Sequence, residues 1–574
     1  MQNKEIAKIF LEIAELLELK EGNRFKIRAY ENAARNIENF EQNLEGIYKK
    51  SGLKGLEELE GVGESIAHKI EEFIKYKKIK KHQDLLKEFP KGFLALVDIP
   101  GMGPKTAMKL HKELNINSVT DLEKAVKKGL LKNLPGFKEK KQENIKKGIE
   151  LKKKSRGRYL ISEANEFADS LIKQLKNLKE ADKIEVAGSL RRRQETIGDI
   201  DILVTAKKPE IVMDSFTQLP EVRRVLAKGE TKSSVILNNN MQSDLRVLNP
   251  DEFGSALHYF TGNKQHNIKI RELAIKKGLK VSEYGLFKGD KKIAGKVEKE
   301  LFDALGLQYI PPELRQGLEE LETAKEGKIP KLIELSDIKG DLQMHSTHSD
   351  GKNTIKEMAE YAKNLGYSYI AITDHSISER IANGQSEKEL FKAFDEIDKL
   401  NARLKEFKIL KGVEVDILPD GSLDFSDDIL KECDVVLAAV HSGFKMPQDK
   451  MTKRIIKALQ NKYVNIMAHP TGRLINERDP YDVDVHEMLK AASDTGTFME
   501  INAHPKRLDL KDVHIKIAKE MGILFAISTD SHATISLENM KYGVSMARRG
   551  WTTKNDVINT LPIDKLLKKL YSKR

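Results

Sequence analysis

At 574 residues the chain is long enough for several domains, given a soft prior of about 150 residues each. Its 100 Lys plus Arg against 88 Asp plus Glu leave a net charge of +12, which favours a polyanionic partner. Part of that charge belongs to solvated helix faces such as Lys75-Tyr76-Lys77-Lys78-Ile79-Lys80-Lys81. The single cysteine, Cys433, excludes an intrachain disulfide framework and suits a reducing cytoplasm, and neither an export signal nor a membrane partner is expected.

The first apolar stretch, Ile9 to Leu17, is interrupted by Glu12 and Glu15 and reads as an amphipathic helix, not a signal or membrane segment. A recurring unit follows. Leu59-Glu60-Gly61-Val62-Gly63 precedes a helix-like Glu64 to Ile74, and Ile99-Pro100-Gly101-Met102-Gly103 precedes Pro104 to Leu114. A degenerate third copy is Leu134-Pro135-Gly136-Phe137 before Lys138 to Ile149. Glycines between helices permit positive φ and close backbone approach, so that N–H groups at a helix start can face a phosphate. One Gly-x-Gly is more often a helix cap. Three helix-flanked copies resemble helix-hairpin-helix motifs, which grip duplex backbone without reading sequence and make Gly61, Gly63, Gly101, Gly103 and Lys105 DNA-binding candidates.

Further on, Gly188-Ser189-Leu190-Arg191-Arg192-Arg193 leads into Thr196-Ile197-Gly198-Asp199-Ile200-Asp201-Ile202-Leu203-Val204. If 199–204 form a strand, Asp199 and Asp201 share one face. Paired carboxylates repel and lose hydration, so a divalent cation explains them, with a solvated edge strand as the alternative. Gly188-Ser189 offers N–H groups and a hydroxyl, and the arginines offer forks for a polyphosphate. A third acid, Asp244, lies in the strand-like Gln242 to Leu248. Three acids around two cations form the clamp for in-line phosphoryl displacement.

These residues, with Tyr259-Phe260-Thr261-Gly262, resemble the nucleotidyltransferase palm of family X DNA polymerases, the polymerase beta family. The resemblance implies Asp199, Asp201 and Asp244 as catalytic ligands of Mg²⁺ or Mn²⁺. It implies Gly188, Ser189, Arg192, Tyr259, Phe260, Gly262, Asn267 and Arg271 as dNTP contacts, although adjacent aromatics such as Tyr259 and Phe260 are more commonly core. Lys69 matches a Schiff-base lysine able to release a deoxyribose phosphate; a phosphate-contacting or solvated lysine is the alternative. Departures are Ser65 for a phosphate-binding lysine, which Arg24, Lys26 and Arg28 would offset, Gln242 for an arginine, and Lys264 for an acid.

Pro311-Pro312 and a charged, helix-like Gly317 to Lys328 end at Ile329-Pro330, a domain junction. Beyond residue 340 lie nine of the 14 histidines, many at the ends of apolar runs: Leu342 to His345, Tyr369 to His375, Leu410 to Glu414, Val435 to His441, Val464 to His469, Phe498 to Asn502 and Ile523 to His532. Short buried strands alternating with helices indicate a parallel α/β barrel with active groups at the carboxyl ends of its strands. His, Asp and Glu gathered at one rim suit Zn²⁺, Mn²⁺ or Fe²⁺. This half resembles the polymerase and histidinol phosphatase (PHP) domain. The resemblance implies His345, Asp350, His375, Glu414, His441, His469, Asp530 and His532 as ligands of about two or three ions, with Gln343 departing from a His-x-His opening. Arg380, Lys445 and Arg473 are candidate phosphate contacts or ordinary surface charges.

The expected fold is multidomain: an all-α helix-hairpin-helix amino-terminal region (1–85, then fingers 86–150), an α+β nucleotidyltransferase palm (151–260) with an α/β thumb (261–328), and a PHP-type distorted (β/α)7 barrel (329–574). The expected function is short-gap filling in DNA repair, with 3′–5′ exonuclease activity in the barrel. Incision at abasic sites, 3′-phosphatase and deoxyribose-phosphate lyase activities are further options. Gapped or primer-template DNA and dNTPs are the expected partners, and the chain is expected to act as a cytoplasmic monomer. Template-independent nucleotide addition and a DNA-end scaffold with degenerate chemistry are the competing classes.

Overall fold

Amphipathic periodicity carries the amino-terminal region into helices. The computed structural model describes residues 2–20, 23–38, 44–59, 61–89, 93, 96, 102, 104–134, 137, 145 and 157–573, and the chain forms two compact units, Met1–Gly157 and Arg158–Arg574. In the first, helix Gln2–Leu19 buries Ile6, Phe10, Ile13 and Leu16, which recur at helical spacing, in one apolar cluster with Tyr30, Ala33 and Ile37 of helix Arg24–Glu38. Helix Glu64–Tyr76 runs two residues beyond the expected Ile74, and Lys77, at φ 52°, stops it by donating its N–H to the Phe73 carbonyl. Helix Pro104–Leu114 has the expected bounds, whereas most of the third hairpin lies outside the described residues.

In the second unit the strands Ala181–Val186, Asp199–Ala206, Gln242–Leu248, Lys232–Leu237 and Val222–Lys228 form one sheet in that order. The Asp199 and Gln242 strands run parallel and the other pairs antiparallel. Alternation sends Ile200, Ile202 and Val204 into the core shared with helices Ile161–Leu175 and Pro209–Thr217, which leaves Asp199 and Asp201 on the opposite face. Helix Phe253–Thr261 packs there through Phe253, Ala256 and Leu257 against Ala187 and Leu203. A smaller core then gathers helix Lys264–Lys276 and the antiparallel strands Lys280–Ser282, Gly285–Lys288 and Lys291–Ala294. The helix expected over residues 317–328 is confined to Glu320–Lys325. Gly317 (φ 77°) and Gly327 (φ 67°) turn the chain at either end, and a Cβ on Gly317 would lie 2.6 Å from Gln265.

The barrel strands Gly340–Asp341, Tyr369–Ile372, Lys408–Asp416, Val435–Ala439, Ile466–Met467, Phe498–Asn502 and Phe525–Ser528 pair in sequence order and all parallel. A parallel bridge between Met344 and Ser531 joins the last strand to the first, so the sheet is nearly closed. Most strands are shorter than their apolar runs, which places the terminal histidines just past the hydrogen-bonded ladder, on the loops of one rim. No described helix is long and apolar enough to cross a membrane.

Candidate active sites

The parallel register of the two central palm strands sets Asp201 beside Asp244 and Asp199 beside Gln242. Burial, then the charges of Asp199 and Asp244, pushes Asp201 up to about 7, and burial with Asp244 also raises Asp199. Asp244 goes the other way: burial opposes its ionisation, but the Lys232 ammonium, 2.6 Å from Oδ2, and Gln242, donating to Oδ1 at 2.9 Å, hold it below the usual range. Three crowded carboxylates, one already drawing a lysine, form a donor set that fits hard divalent cations.

Gly188, at φ 60°, sits against this set, and a Cβ there would come within 2.4 Å of Asp201 Oδ2. Ser189 follows it, half-buried. Arg192 donates from Nη1 to the Thr261 carbonyl at 2.5 Å, while its Nε is buried without a partner. Burial, then the like charge of Arg549, lowers Arg192 to about 10, so a phosphate would relieve a real electrostatic cost. Tyr259 and Phe260 end helix Phe253–Thr261 in edge-to-face contact, centroids 5.1 Å apart, and the Arg246 guanidinium lies 4.4 Å over Phe260. Asn267 donates to the Tyr259 carbonyl at 2.7 Å, with Oδ1 buried and unpartnered; a Cβ on Gly262 would sit 2.6 Å from that oxygen. Arg271 is exposed and donates to the Asn267 carbonyl at 3.3 Å, and Lys264 is exposed. No local sequence signal announces that Arg191 and buried Arg315 converge on Glu298 at 2.7 and 2.5 Å, with Arg191 also donating to Thr261 Oγ1 at 2.8 Å.

At the barrel rim, buried Glu414 is the hub. Its Oε1 lies 2.8 Å from His469 Nε2 and 3.4 Å from His441 Nε2, and its Oε2 lies 3.4 Å from both His345 and His375. Asp530 approaches His345 at 3.1 Å, and Asp350 approaches His532 at 3.3 Å and His375 at 3.8 Å. All eight residues singled out in the barrel sequence therefore meet. Two more acids join them unannounced: Asp416, 2.5 Å from His441 Nδ1, and Glu379, 3.9 Å away. Burial resists ionisation of Glu414, but the surrounding imidazoles, His375 first, hold it well below its usual range. For His441 the acids win over burial and raise it to about 10. His345 Nδ1, His375 Nδ1, Glu414 Oε2 and both amide atoms of Gln343 are buried without hydrogen-bond partners, and His469 (φ 27°) and Asp530 (φ 53°) adopt left-handed backbone. Orphaned donor atoms and backbone strain at one rim fit a cluster of imidazole- and carboxylate-bound cations.

Of the hairpin residues, Gly61 (φ 79°) turns the chain and exposed Gly63 caps helix Glu64–Tyr76. Gly101 and Gly103 lie outside the described residues, and of Lys105 only its place in helix Pro104–Leu114 is described. Lys69 is half-buried and donates to the Ser65 carbonyl and hydroxyl at 2.8 and 2.9 Å; burial lowers its pKa, Glu72 opposes, and Lys81 and Lys26 lower it further. Among the candidate phosphate contacts, Arg380 and Lys445 are exposed, but Arg473 is neither exposed nor available. It is buried, lies 2.8 Å from Glu195 of the palm, and donates to the Arg507 and Leu508 carbonyls of its own barrel.

Comparison with known proteins follows the same division. The family models described as helix-hairpin-helix domain, SAM-like helix-hairpin-helix tandem, DNA polymerase beta palm, DNA polymerase beta thumb and PHP domain match residues 1–79, 93–152, 161–255, 256–316 and 341–504. The DNA polymerase/3′-5′ exonuclease PolX of Bacillus subtilis (strain 168) is 40% identical over 566 residues, covering 97% of each chain. A probable phosphatase of Thermoanaerobacter sp. (strain X514) is 31% identical over 218 residues, 36% of this chain and 84% of its own length. One from Caldanaerobacter subterraneus is 30% identical over 232 residues, 39% and 86%.

Proposed function

The chain belongs to the family X DNA polymerases that carry a PHP domain, and from that membership we propose how its two sites share a DNA 3′ end. It is a DNA polymerase and a 3′–5′ exonuclease, both dependent on divalent cations, with DNA and dNTPs as substrates. The observation that carries the polymerase assignment is the register that sets Asp201 against Asp244, with Asp199 one pleat away on the same face. Asp199, Asp201 and Asp244 hold Mg²⁺ or Mn²⁺, and the histidine and carboxylate rim of the barrel, centred on Glu414, holds Mn²⁺, Zn²⁺ or Fe²⁺. When bound, the cations supply charge stabilisation at the reacting phosphorus in both sites and a hydrolytic nucleophile in the barrel.

The protein's own groups do the rest. Asp199, Asp201 and Asp244, gathered on one face of the sheet, would border the 3′-hydroxyl as it loses its proton. Gly188 and Ser189 approach the phosphates, Arg192 meets the charge that develops on them, and Tyr259 and Phe260 with Asn267 and Arg271 border the sugar and base. Gly61 and Gly63, with Gly101, Gly103 and Lys105, hold duplex backbone. The working partition is 1–85, fingers 86–150, palm 151–260, thumb 261–328 and PHP domain 329–574, in a cytoplasmic monomer that fills short repair gaps. A second reading, deoxyribose-phosphate lysis by Lys69, is favoured by its half-buried place beside Lys81 and Lys26, where burial first and then their charges lower its pKa toward the neutral amine that attack on a sugar aldehyde requires; borohydride trapping that survives Lys69→Ala would exclude it. Incision at abasic sites and 3′-phosphate removal are further reactions open to the barrel rim.

The test is a gapped duplex with Mn²⁺ or Mg²⁺. Asp199→Ala abolishes extension and leaves 3′ degradation, while His441→Ala does the reverse. Extension at normal rate in the first variant, or degradation at normal rate in the second, would move that site elsewhere.

A further inference from the structure

The turn at residues 192–195 joins the short helix Gly188–Arg191 to the strands that carry the palm acids, and Arg193 within it adopts a left-handed φ of 56°. A strained non-glycine turn persists only when its surroundings hold it. Part of that hold comes from within: the N–H groups of Arg193 and Gln194 reach the Leu190 and Ser189 carbonyls at 3.0 and 3.1 Å. The rest comes from the barrel, about 280 to 360 residues away in sequence. Buried Arg549, at the end of helix Met540–Arg549, donates from Nη1 to the Arg192 carbonyl at 3.0 Å and pairs through Nη2 with Asp512, the first residue of helix Asp512–Glu520. Buried Arg473 pairs with Glu195 at 2.8 Å. Asn476 donates to the Arg158 carbonyl at 3.2 Å, and Arg158 in turn donates to Thr196.

Simple attachment of one domain to another is achieved by apolar packing. Burying two guanidinium groups to hold two points of one turn, the Arg192 carbonyl and the Glu195 carboxylate, costs desolvation and returns geometry, because a guanidinium fork fixes direction as well as distance. Arg549 also brings a positive charge close to Arg192, a repulsion that an anionic ligand at Arg192 would offset, while Asp512 holds the Arg549 guanidinium from its other side.

We propose that Arg549, oriented by Asp512, is a positioning residue for polymerisation: the barrel holds the Arg192 turn in the shape that receives the nucleotide triphosphate. The proposal rests on the reading of Arg192 as a triphosphate contact. Arg473 supports the same turn from the loop that follows His469, so two arginines of the barrel reach this one turn of the palm.

The test uses the full chain on a one-nucleotide gap with template dG and varied dCTP. Arg549→Met raises KM for dCTP about tenfold, with kcat changed less than about threefold and degradation of a single-stranded 3′ end unchanged. Arg549→Lys recovers only part of that loss, since one ammonium cannot span the Arg192 carbonyl and Asp512 in the same geometry. Glu195→Gln, which loosens the other hold, raises KM in the same direction and serves if Arg549→Met does not fold. A wild-type KM in a folded Arg549→Met or Glu195→Gln protein, even with a lowered melting temperature, reduces these contacts to attachment and overturns the proposal. Arg192→Met is the separate control: if it leaves KM for dCTP unchanged, the triphosphate reading of Arg192 fails first and the proposal falls with it.

Discussion

Replacing Gly188 by alanine perturbs the polymerase site through a single methyl group. At φ 60° an L-residue costs about 1–2 kcal/mol, and the added Cβ would lie 2.4 Å from Asp201 Oδ2 where ordinary contact begins at 3.4 Å. The obstructed atom is the end of a side chain and not backbone, so the carboxylate yields and the fold survives with a melting temperature lowered by about 2–8 °C. Asp201 must then move by about 1 Å, a displacement that in an aligned reaction costs on the order of 100-fold in rate. Single-turnover extension of a gapped duplex should therefore fall about 100-fold, while 3′ degradation by the same preparation is retained. Extension within about threefold of the parent would refute the claim that Gly188 is required by its contact with Asp201.

Carboxylates held by arginine also set a pH limit. Burial opposes ionisation of Glu298 and Asp512, but Arg315 with Arg191 and Arg549 overcome it and hold both below the usual carboxylate range. A depressed folded pKa gives stability that is complete above the unfolded value and lost as pH falls through the folded one. The contribution of these two carboxylates should thus be complete above about pH 5, and the melting temperature should drop below about pH 4. Glu298→Gln, which leaves Arg191 and Arg315 buried without their partner, should lower stability at pH 7 by about 3–5 kcal/mol in denaturant titration, and no change would discard that network as a support. Metal addition to chelator-treated protein should raise the melting temperature, by the equivalent of about 2.7 kcal/mol at a hundredfold excess over Kd. His441→Ala should shrink that rise, and an undiminished shift would show that the bound ion lies elsewhere.

The palm acids were legible because a strand has period two, so Asp199 and Asp201 had to share a face whichever sheet they joined. Asp244 was legible as the third acid on a second strand, but not the register that sets it opposite Asp201, because the pairing of residues 43 positions apart is fixed by the whole sheet. Most of the barrel ligands were legible because they end apolar runs, and a parallel barrel brings such ends to one rim, whereas Asp350, in a polar stretch five residues past His345, came only from the resemblance to the PHP domain. Asp416 escaped because it lies two residues past Glu414 on the same strand, where alternation returns its side chain to the rim face. Arg473 was misjudged as a surface charge since nothing local announces that its partner, Glu195, belongs to the palm. The helix expected over 317–328 failed at its glycines, whose left-handed φ values outweighed the charged helical pattern.

One chain carries two separate cation-holding centres, and anomalous diffraction from crystals soaked in Mn²⁺ would locate both. Density is expected between Asp201 and Asp244, with Lys232 displaced from Oδ2, and separately among His345, His375, Glu414 and Asp530. Lys232 remaining on Asp244 with no ion beside it, or a barrel rim empty of anomalous signal, would contradict it.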